Sequence, residues 1–417
     1  MRINLENIGP LKNISIDLAN LTVIAGENDS GKSTIGKVLF AITQAYNNYP
    51  NALRSQLQNN IKHRLSSILI QLRRNFDLRE KPELLELMRP SFQRVIERNF
   101  DDGVYELKQT LEQLKNDHPE KHDLLEHLQK RALTLETEVR NAIEKDKMIF
   151  SLIHQLLKSE FNQEVSRKES NKQSFISIQD GATKVLEMGF DDHDFYSGIS
   201  VGEIGFTDST LVDGPSILQY YNLIGSFDIE DNRFPYHLND LAIKLRGGAF
   251  EISGIRPAVD NDLGDIYKGK VIFDKSERDF FLLKGGQRIK SSNIASGIKA
   301  LGIIDILIDR GNVADNSLLI LDEPETNLHP KWQVELAKTI CQLTELGANI
   351  LVTTHSPYML EALKVFSEKG KKPARFYSVH KDQQNDVNFV DCTNDISIII
   401  NELSEPLINI LRMDDEF

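Results

Sequence analysis

The chain has 417 residues, of which 40% are hydrophobic and 27% charged; this is the composition of an ordinary globular protein, with room for one large α/β domain carrying an insertion or for two domains. No run approaches the ~18 apolar residues of a membrane span, and the start MRINLENIGPL lacks the basic beginning and apolar centre of a secretion signal, so a cytoplasmic protein without membrane insertion is expected. The net charge of −13 excludes a surface that is basic throughout, yet residues 51–98 hold ten Lys/Arg against five Asp/Glu, a local +5 set against −18 elsewhere.

In chain order, the first 25 residues alternate like strands: RINLENI (2–8), NISIDL (13–18) and the apolar LTVIAG (21–26), separated by turn residues. The third feeds directly into GENDSGKST (26–34), after which TIGKVLFAITQAY (34–46) repeats apolar residues at helical spacing. From 47 to 171 the pattern is helical and charged, with expected breaks at KP (81–82), RP (89–90), DDG (101–103) and DHPEKHD (117–123). These features predict several helices folded back on one another as an insertion, between head segments 1–46 and 172–417. Its basic residues, Arg64, Arg73 and Arg74 among them, form either a solvated helix face or a surface for phosphate or an acidic protein.

Strand patterns return at SFISI (174–178), GEIGFTDSTLVD (202–213) and GAFEISGI (248–255), and residues 268–290 alternate as an antiparallel hairpin or meander. A helix (294–309), the strand SLLILDEPE (317–325), a helix (331–346) and the strand NILVTTHS (349–356) follow. One more strand and an acidic end, RMDDEF, close the chain. Cys341 and Cys392 have no metal-ligand spacing and read as reduced, structural thiols.

A glycine, four residues, then Gly-Lys-Ser, lying between an apolar strand and a helix, is the spacing of a phosphate-binding loop. Backbone N–H groups of Gly26, Glu27, Asn28, Asp29, Ser30 and Gly31 would wrap phosphates, with the helix N-terminus behind them. Lys32 would reach the β/γ-phosphates, Ser33 would hold Mg²⁺, and Thr34 would bond an α-phosphate oxygen. Asp29 stands where glycine is commoner; a carboxylate repels phosphate, but Asp tolerates positive φ and can turn to solvent. At the end of the buried strand LLILD, Asp322 is placed to hold Mg²⁺ through water and Glu323 to act as general base. His355, ending the next strand, suits a hydrogen bond to the γ-phosphate or the attacking water. Ser296 and Gly297 open a helix whose free N–H groups can receive a phosphate.

The ordered set GENDSGKST, ASGIK, LLILDEPETNLHP and TTHS resembles the ABC-type ATPases, and within them the SMC/RecF/OLD-type ATPases that include many bacterial anti-phage defence ATPases. The resemblance implies an α/β P-loop NTPase of ABC-ATPase type with a large α-helical insertion, using ATP and Mg²⁺. It makes Gly26 to Thr34 the Walker A motif, Asp322 and Glu323 Walker B, Ser296 and Gly297 the signature, and His355 the switch histidine. It further implies a head-to-tail homodimer, in which the signature of one copy closes on ATP held by the other, with Thr326, Asn327, Leu328 and His329 at the seam. ASGIK departs from LSGGQ, so only Ser296 and Gly297 carry over. The family's glutamine between Walker A and signature has one weak candidate, Gln219, which reads better as ordinary helix surface. OLD-type proteins add a nuclease; only 62 residues follow His355, so no nuclease in cis is expected. By analogy with Septu or PARIS systems, the expected partner is a separately encoded effector, with nucleic acid as another target of the insertion. The alternatives are a DNA-maintenance ATPase of RecF/SMC type, a non-catalytic ATP sensor or, against the EPETNLHP sequence, a transporter subunit.

Overall fold

The computed structural model describes residues 1–76, 84, 87, 89, 92, 100–141, 145–168, 173–200, 202–224, 234–247, 263–384 and 386–414. They divide into two compact units, Met1–Asn47 with Phe150–Phe417, and Asn48–Ile149.

Among the described residues the larger unit contains three sheets. Strands β1 (Arg2–Ile8), β2 (Leu11–Asp17), β4 (Ser174–Asp180), β5 (Thr183–Phe190) and β6 (Phe195–Ser200) form an antiparallel sheet in the order β2-β1-β4-β5-β6. The second is mainly parallel. It combines β3 (Leu21–Gly26), β7 (Asp208–Val212), β11 (Ser317–Asp322), β12 (Asn349–Thr354), β13 (Ala374–Lys381) and β14 (Val387–Asp391) in the order β14-β13-β3-β12-β11-β7, with only β14 antiparallel to its neighbour. The third is the expected meander of β8 (Lys270–Asp274), β9 (Asp279–Lys284) and β10 (Gln287–Lys290).

The central strands read as continuous apolar runs because helices cover both faces of a parallel sheet. All six residues of β3 are buried. Val23, Leu319 and Ile350 from the strands share one core cluster with Leu301, Leu336 and Ile340 from helices. Those helices are α8 (Ser296–Asp309) and α9 (Pro330–Glu345). The other described helices are α1 (Lys32–Asn75), α2 (Phe100–Asp117), α3 (His122–Asn141), α4 (Lys145–Glu160), α5 (Ile217–Ile224), α6 (Tyr236–Arg246), α7 (Leu263–Tyr267), α10 (Pro357–Lys369) and α11 (Ser397–Asp414). Among the described residues no helix is long and apolar enough to cross a membrane.

In the smaller unit Leu65 and Leu72 of α1, Leu107 and Leu111 of α2, and Leu125 and Leu128 of α3 share a separate core. Their three- and four-residue spacing puts one apolar stripe on each helix. A 3-10 turn at Pro119–Lys121 separates α2 from α3, where DHPEKHD predicts a break. The residues Asp101–Gly103, expected to break the chain, instead lie within the first turn of α2, a position where acids suit the positive end of a helix. The break expected at 81–82 lies outside the described residues.

Other differences have local causes. The helix expected over 34–46 continues to Asn75 with Pro50 inside it, although Pro removes one backbone donor. The strand expected over 202–213 is confined to Asp208–Val212. Strands β5 and β6 are not evident in the sequence; Gly189 and a register shift beside Phe190 interrupt their alternation. Of the acidic end, residues 412–414 belong to α11, which buries Ile399. The strand expected over 248–255 lies outside the described residues. Later residues of α4 pack in the larger unit, Phe150 against the Phe195 ring and His154 Nε2 2.8 Å from Asp191 O.

Ile350, 1% exposed at the centre of the parallel sheet, is expected to cost about 2–5 kcal/mol when cut to alanine, read as a shift in the urea transition of the larger unit. Cys341 and Cys392 are both free and buried, and burial pushes the Cys341 thiol up to about 12. Neither is expected to react with a thiol reagent at neutral pH until the chain is unfolded.

Candidate functional site

Strand β3 delivers the glycine loop. A Cβ on Gly26 would lie 2.3 Å from the carbonyl oxygen of Val379 on β13, so the strand end admits only glycine. Asp29 does adopt positive φ, +61°. Its carboxylate is 92% exposed and 2.7 Å from Lys381 Nζ; that hydrogen bond and charge hold it below the usual carboxylate range. The charge of Asp29 is therefore neutralised at the rim. Ser30 closes the loop by donating to Glu27 O at 2.7 Å.

Lys32 is only 4% exposed. Its Nζ donates to the carbonyls of Gly26 at 3.0 Å and Glu27 at 2.6 Å, and lies 3.8 Å from Glu323 Oε1. Burial lowers the basicity of the ammonium, against the opposing pull of Glu323 and Asp322. Ser33 Oγ donates to Asp322 Oδ1 at 3.0 Å, and Thr34 N–H donates back to Gly31 O at 3.2 Å.

Strand β11 delivers the acids. Asp322 also accepts from Thr353 Oγ1. Glu323 sits at φ +49°, an uncommon conformation for a residue with a long side chain. Its N–H donates to Thr353 O and Oγ1, both at 3.1 Å, which holds the turn. His355, at the end of β12, places Nδ1 3.4 Å from Glu323 Oε2 and 3.4 Å from Glu325 Oε1. Glu325 is a residue the motif reading passes over. It is 3% exposed, and Oε1 accepts from Thr354 Oγ1 at 2.6 Å and from His355 N–H at 2.8 Å. The signal was available, since DEPE contains a second glutamate two residues after the first.

Ser296 is exposed at the start of α8, and no side chain caps that end. Gly297 is required by packing: a Cβ there would lie 2.7 Å from Asn327 O. The segment Thr326–His329 therefore runs against the tip of α8. It is also tied to β12, because Gln333 donates to Leu328 O at 3.0 Å and accepts from Ser356 Oγ at 2.6 Å. His329 caps α9, its Nδ1 accepting from Lys331 N–H at 3.2 Å.

A cavity of about 320 Å³ is lined by Ser33, Asp322, Glu323 and Thr326, together with Asp213 and Pro215. Gln219 is not among its lining residues. It is exposed on α5, donating to Tyr220 Oη at 3.3 Å and accepting from Lys299 Nζ at 3.2 Å. The strand that ends beside β11 is β7, and the residue after it is Asp213. Asp213 Oδ2 lies 3.0 Å from His237 Nε2, and His237 Nδ1 lies 2.6 Å from Glu160 Oε2. Burial opposes charge on this imidazole, but the two carboxylates outweigh it and raise its pKa to about 9.

Arg73 and Arg74 are exposed in the last turn of α1. Arg64 lies on the same helix, with its side chain outside the described residues. Among the described residues no cluster of three or more His, Cys, Asp or Glu could hold a metal by itself. The hydroxyl–carboxylate pair Ser33–Asp322 is a hard-oxygen donor set. It suits Mg²⁺, which keeps water ligands and shares its coordination with a substrate phosphate.

A sequence profile for the family described as "AAA domain, putative AbiEii toxin, Type IV TA system" matches residues 21–361. The chain belongs to that family, and its fold is a mixed α/β P-loop NTPase. Among solved structures it is similar to "SMC head domain from Thermotoga maritima", at 12% identity over 94% of this chain and 97% of that one, with TM-score 0.38. It is also similar to an SmcHead bound to the C-winged helix domain of ScpA, at 11% identity, 94% and 96% coverage and TM-score 0.41. A third is the Smc head domain with an extended coiled coil bound to the C-terminal domain of ScpA derived from Pyrococcus furiosus, at 11%, 95%, 98% and 0.33.

The folded pKa of His237, about 9, exceeds its ordinary 6.5, so its stabilisation is complete below pH 6.5 and is lost as pH rises through 9. Wild type is expected to lose up to about 3 kcal/mol over that window relative to His237→Gln, measured by urea unfolding at a series of pH values.

Proposed function

We propose that this chain binds ATP with Mg²⁺ in the pocket between the P-loop and the β11 acids, and hydrolyses it between two copies arranged head to tail. The observation that carries this reading is the 3.0 Å hydrogen bond from Ser33 Oγ to Asp322 Oδ1. It joins the hydroxyl of the glycine loop to the acid of a strand nearly three hundred residues away, at one edge of a parallel sheet.

Lys32 supports the reading in a second way. Its ammonium is desolvated, and its hydrogen bonds go to neutral oxygens of its own loop, the Gly26 and Glu27 carbonyls and the Ser30 hydroxyl, so a triphosphate would replace weak acceptors with anionic oxygens. Ser33 and Asp322 would hold Mg²⁺, which when bound neutralises charge on the phosphate oxygens. Glu323 would take the proton of the attacking water, its carboxylate fixed by the turn that Thr353 secures. His355 would orient that water from the far side, its ring set by Glu325. In trans, the uncapped tip of α8 would offer the Ser296 hydroxyl and nearby N–H groups to the triphosphate of the partner copy. Asn327 and Leu328 border that tip, so the two segments would meet the partner together.

The ATP cycle is proposed to restrain or release a separately encoded effector in anti-phage defence. The family description, which names a toxin and a toxin–antitoxin system, supports this role, as does the resemblance of the ordered motifs to defence ATPases. A nucleic-acid role, as in a DNA-maintenance ATPase, draws on the exposed Arg54, Arg73, Arg74 and Arg89 of the smaller unit.

Lys32→Ala is expected to weaken ATP binding about ten- to a hundredfold. Glu323→Gln should keep binding, slow hydrolysis by about 10²–10⁴, and accumulate an ATP-bound dimer in light scattering. A Glu323→Gln chain that stays monomeric with saturating Mg-ATP would count against the head-to-tail arrangement. Reversing Arg73 and Arg74 to glutamate should abolish any salt-sensitive binding to DNA or RNA; nucleic-acid binding unchanged by the reversal would remove that surface from consideration.

A further inference from the structure

The pocket has one carboxylate that no motif accounts for. Asp213 follows β7 directly, and β7 runs parallel to β11 with Val212 opposite Leu321. Asp213 and Asp322 therefore leave the sheet side by side, and both line the cavity with Ser33 and Glu323. The family resemblance leads one to expect a glutamine in this region. An amide both donates and accepts, whereas an ionised carboxylate only accepts. It would repel a phosphate and bind the N–H or O–H of something else. Water beside a bound phosphate is a donor of that kind.

Behind Asp213 stands a buried assembly. The His237 side chain is 1% exposed, that of Glu160 is 0% exposed, and that of Asp213 is 36% exposed toward the cavity. Each ring nitrogen of His237 faces a carboxylate oxygen, at 2.6 and 3.0 Å, so both must carry protons. The group is held by its backbone as well: His237 N–H donates to Glu160 Oε1 at 2.8 Å and Tyr236 N–H to Ser159 Oγ at 3.0 Å. These bonds fasten the first turn of α6 to the last turn of α4. Lys37 Nζ, from α1, lies 3.4 Å from Glu160 O and its charge acts on Asp213, and the charge of His237 also acts on Asp240. Burying an imidazolium between two acids brings little stability over well-packed apolar side chains. What it does supply is a fixed direction for the Asp213 carboxylate.

We propose that Asp213 is a further catalytic residue of the hydrolytic pocket, its carboxylate accepting a hydrogen bond from water beside the triphosphate, and that His237 and Glu160 are the positioning pair that aim it. This rests on the reading of the pocket as an ATP site. Glu323 remains the base; Asp213 restrains where water sits, and neither makes nor breaks a covalent bond.

Steady-state hydrolysis of Mg-ATP by the full chain, paired with equilibrium binding of a fluorescent ATP analogue, separates the two ideas. Asp213→Asn, which keeps the size, is expected to lower kcat about ten- to a hundredfold with KM and analogue affinity within about threefold. Asp213→Glu should recover part of kcat, and His237→Gln should lower kcat in the same direction with binding retained. An Asp213→Asn chain turning over at the wild-type rate, or one losing ATP affinity together with kcat, overturns the assignment. So does a His237→Gln chain with unchanged kcat, as regards the positioning pair. The ATP-site reading fails by a different sign: a Lys32→Ala chain that still binds the analogue as wild type, or a wild type that hydrolyses nothing, which would end both.

Discussion

The arrangement depends on the register of four adjacent parallel strands. β3, β12, β11 and β7 lie side by side, with Thr354 opposite Ala25, Asp322 opposite Thr353 and Leu321 opposite Val212. Their carboxyl ends therefore come out level, and the glycine loop, His355, the β11 acids and Asp213 leave the sheet as neighbours. Residues from positions 26, 213, 322 and 355 become one site without any loop having to reach. The carboxyl edge of a parallel sheet is also where ligands bind in open α/β folds. A slip of one residue in any of these strands would turn its side chains to the other face. The apolar runs VIA, LLIL and ILV, buried on both faces, resist such slips only collectively. The polar hydrogen bonds at the edge, Ser33 to Asp322 and Glu323 N–H to Thr353, set the register at its most sensitive point.

Some of the positive-φ backbone falls at the same edge. Asp29, Glu323 and Asn327 all adopt positive φ, at +61°, +49° and +64°. Asp and Asn accept that conformation with little penalty, whereas a glutamate there is held at a cost of about 1–3 kcal/mol. The two hydrogen bonds from Glu323 N–H to Thr353 supply the compensation. Strain of this kind persists where the surroundings over-determine a side chain's direction. Here that direction takes Glu323 away from the strand axis and toward Lys32 and His355.

Most of the site could be read from the sequence because its chemistry is local. A glycine loop between an apolar strand and a helix, an apolar strand ending in two acids, and a strand ending in His-Ser each announce themselves within about ten residues. Even the tolerance for Asp29 followed from its residue type, although its partner Lys381, more than 350 positions away, could not be foreseen. What escaped was whatever depends on strand order. Asp213 reads only as the last residue of the strand pattern 202–213 until β7 is known to border β11, and Gln219 attracted attention only as a glutamine in the right interval. Glu160 and His237 lie 77 positions apart with no shared pattern. Strands β5 and β6 were hidden by their irregular alternation, and the α11 pattern by a proline and an acidic end. The helical insertion was legible as character, through three- and four-residue apolar spacing, but its internal breaks only in part: the break read at 117–123 coincides with the 3-10 turn at Pro119–Lys121, whereas Asp101–Gly103 begin a helix rather than end one.

On the proposed reading, the charge at this edge bears on why one chain alone would be an incomplete site. Asp213, Asp322, Glu323 and Glu325 surround the pocket or support its histidine, and Lys32 is the buried cation facing them. An assembly so rich in carboxylate would repel a triphosphate unless further positive charge arrived with it. On the proposed reading, two sources provide that charge. Mg²⁺ comes in with the nucleotide, between Ser33 and Asp322. The N-terminus of α8, uncapped and exposed in the single chain, comes from a second copy. Gly297 lets that helix tip lie directly against Asn327, so closure would bring the helix N-terminus and the Thr326–His329 segment to the triphosphate in one step. Nucleotide binding and pairing of two copies would then be favourable together and weak separately. That coupling is the property a switch governing another protein requires.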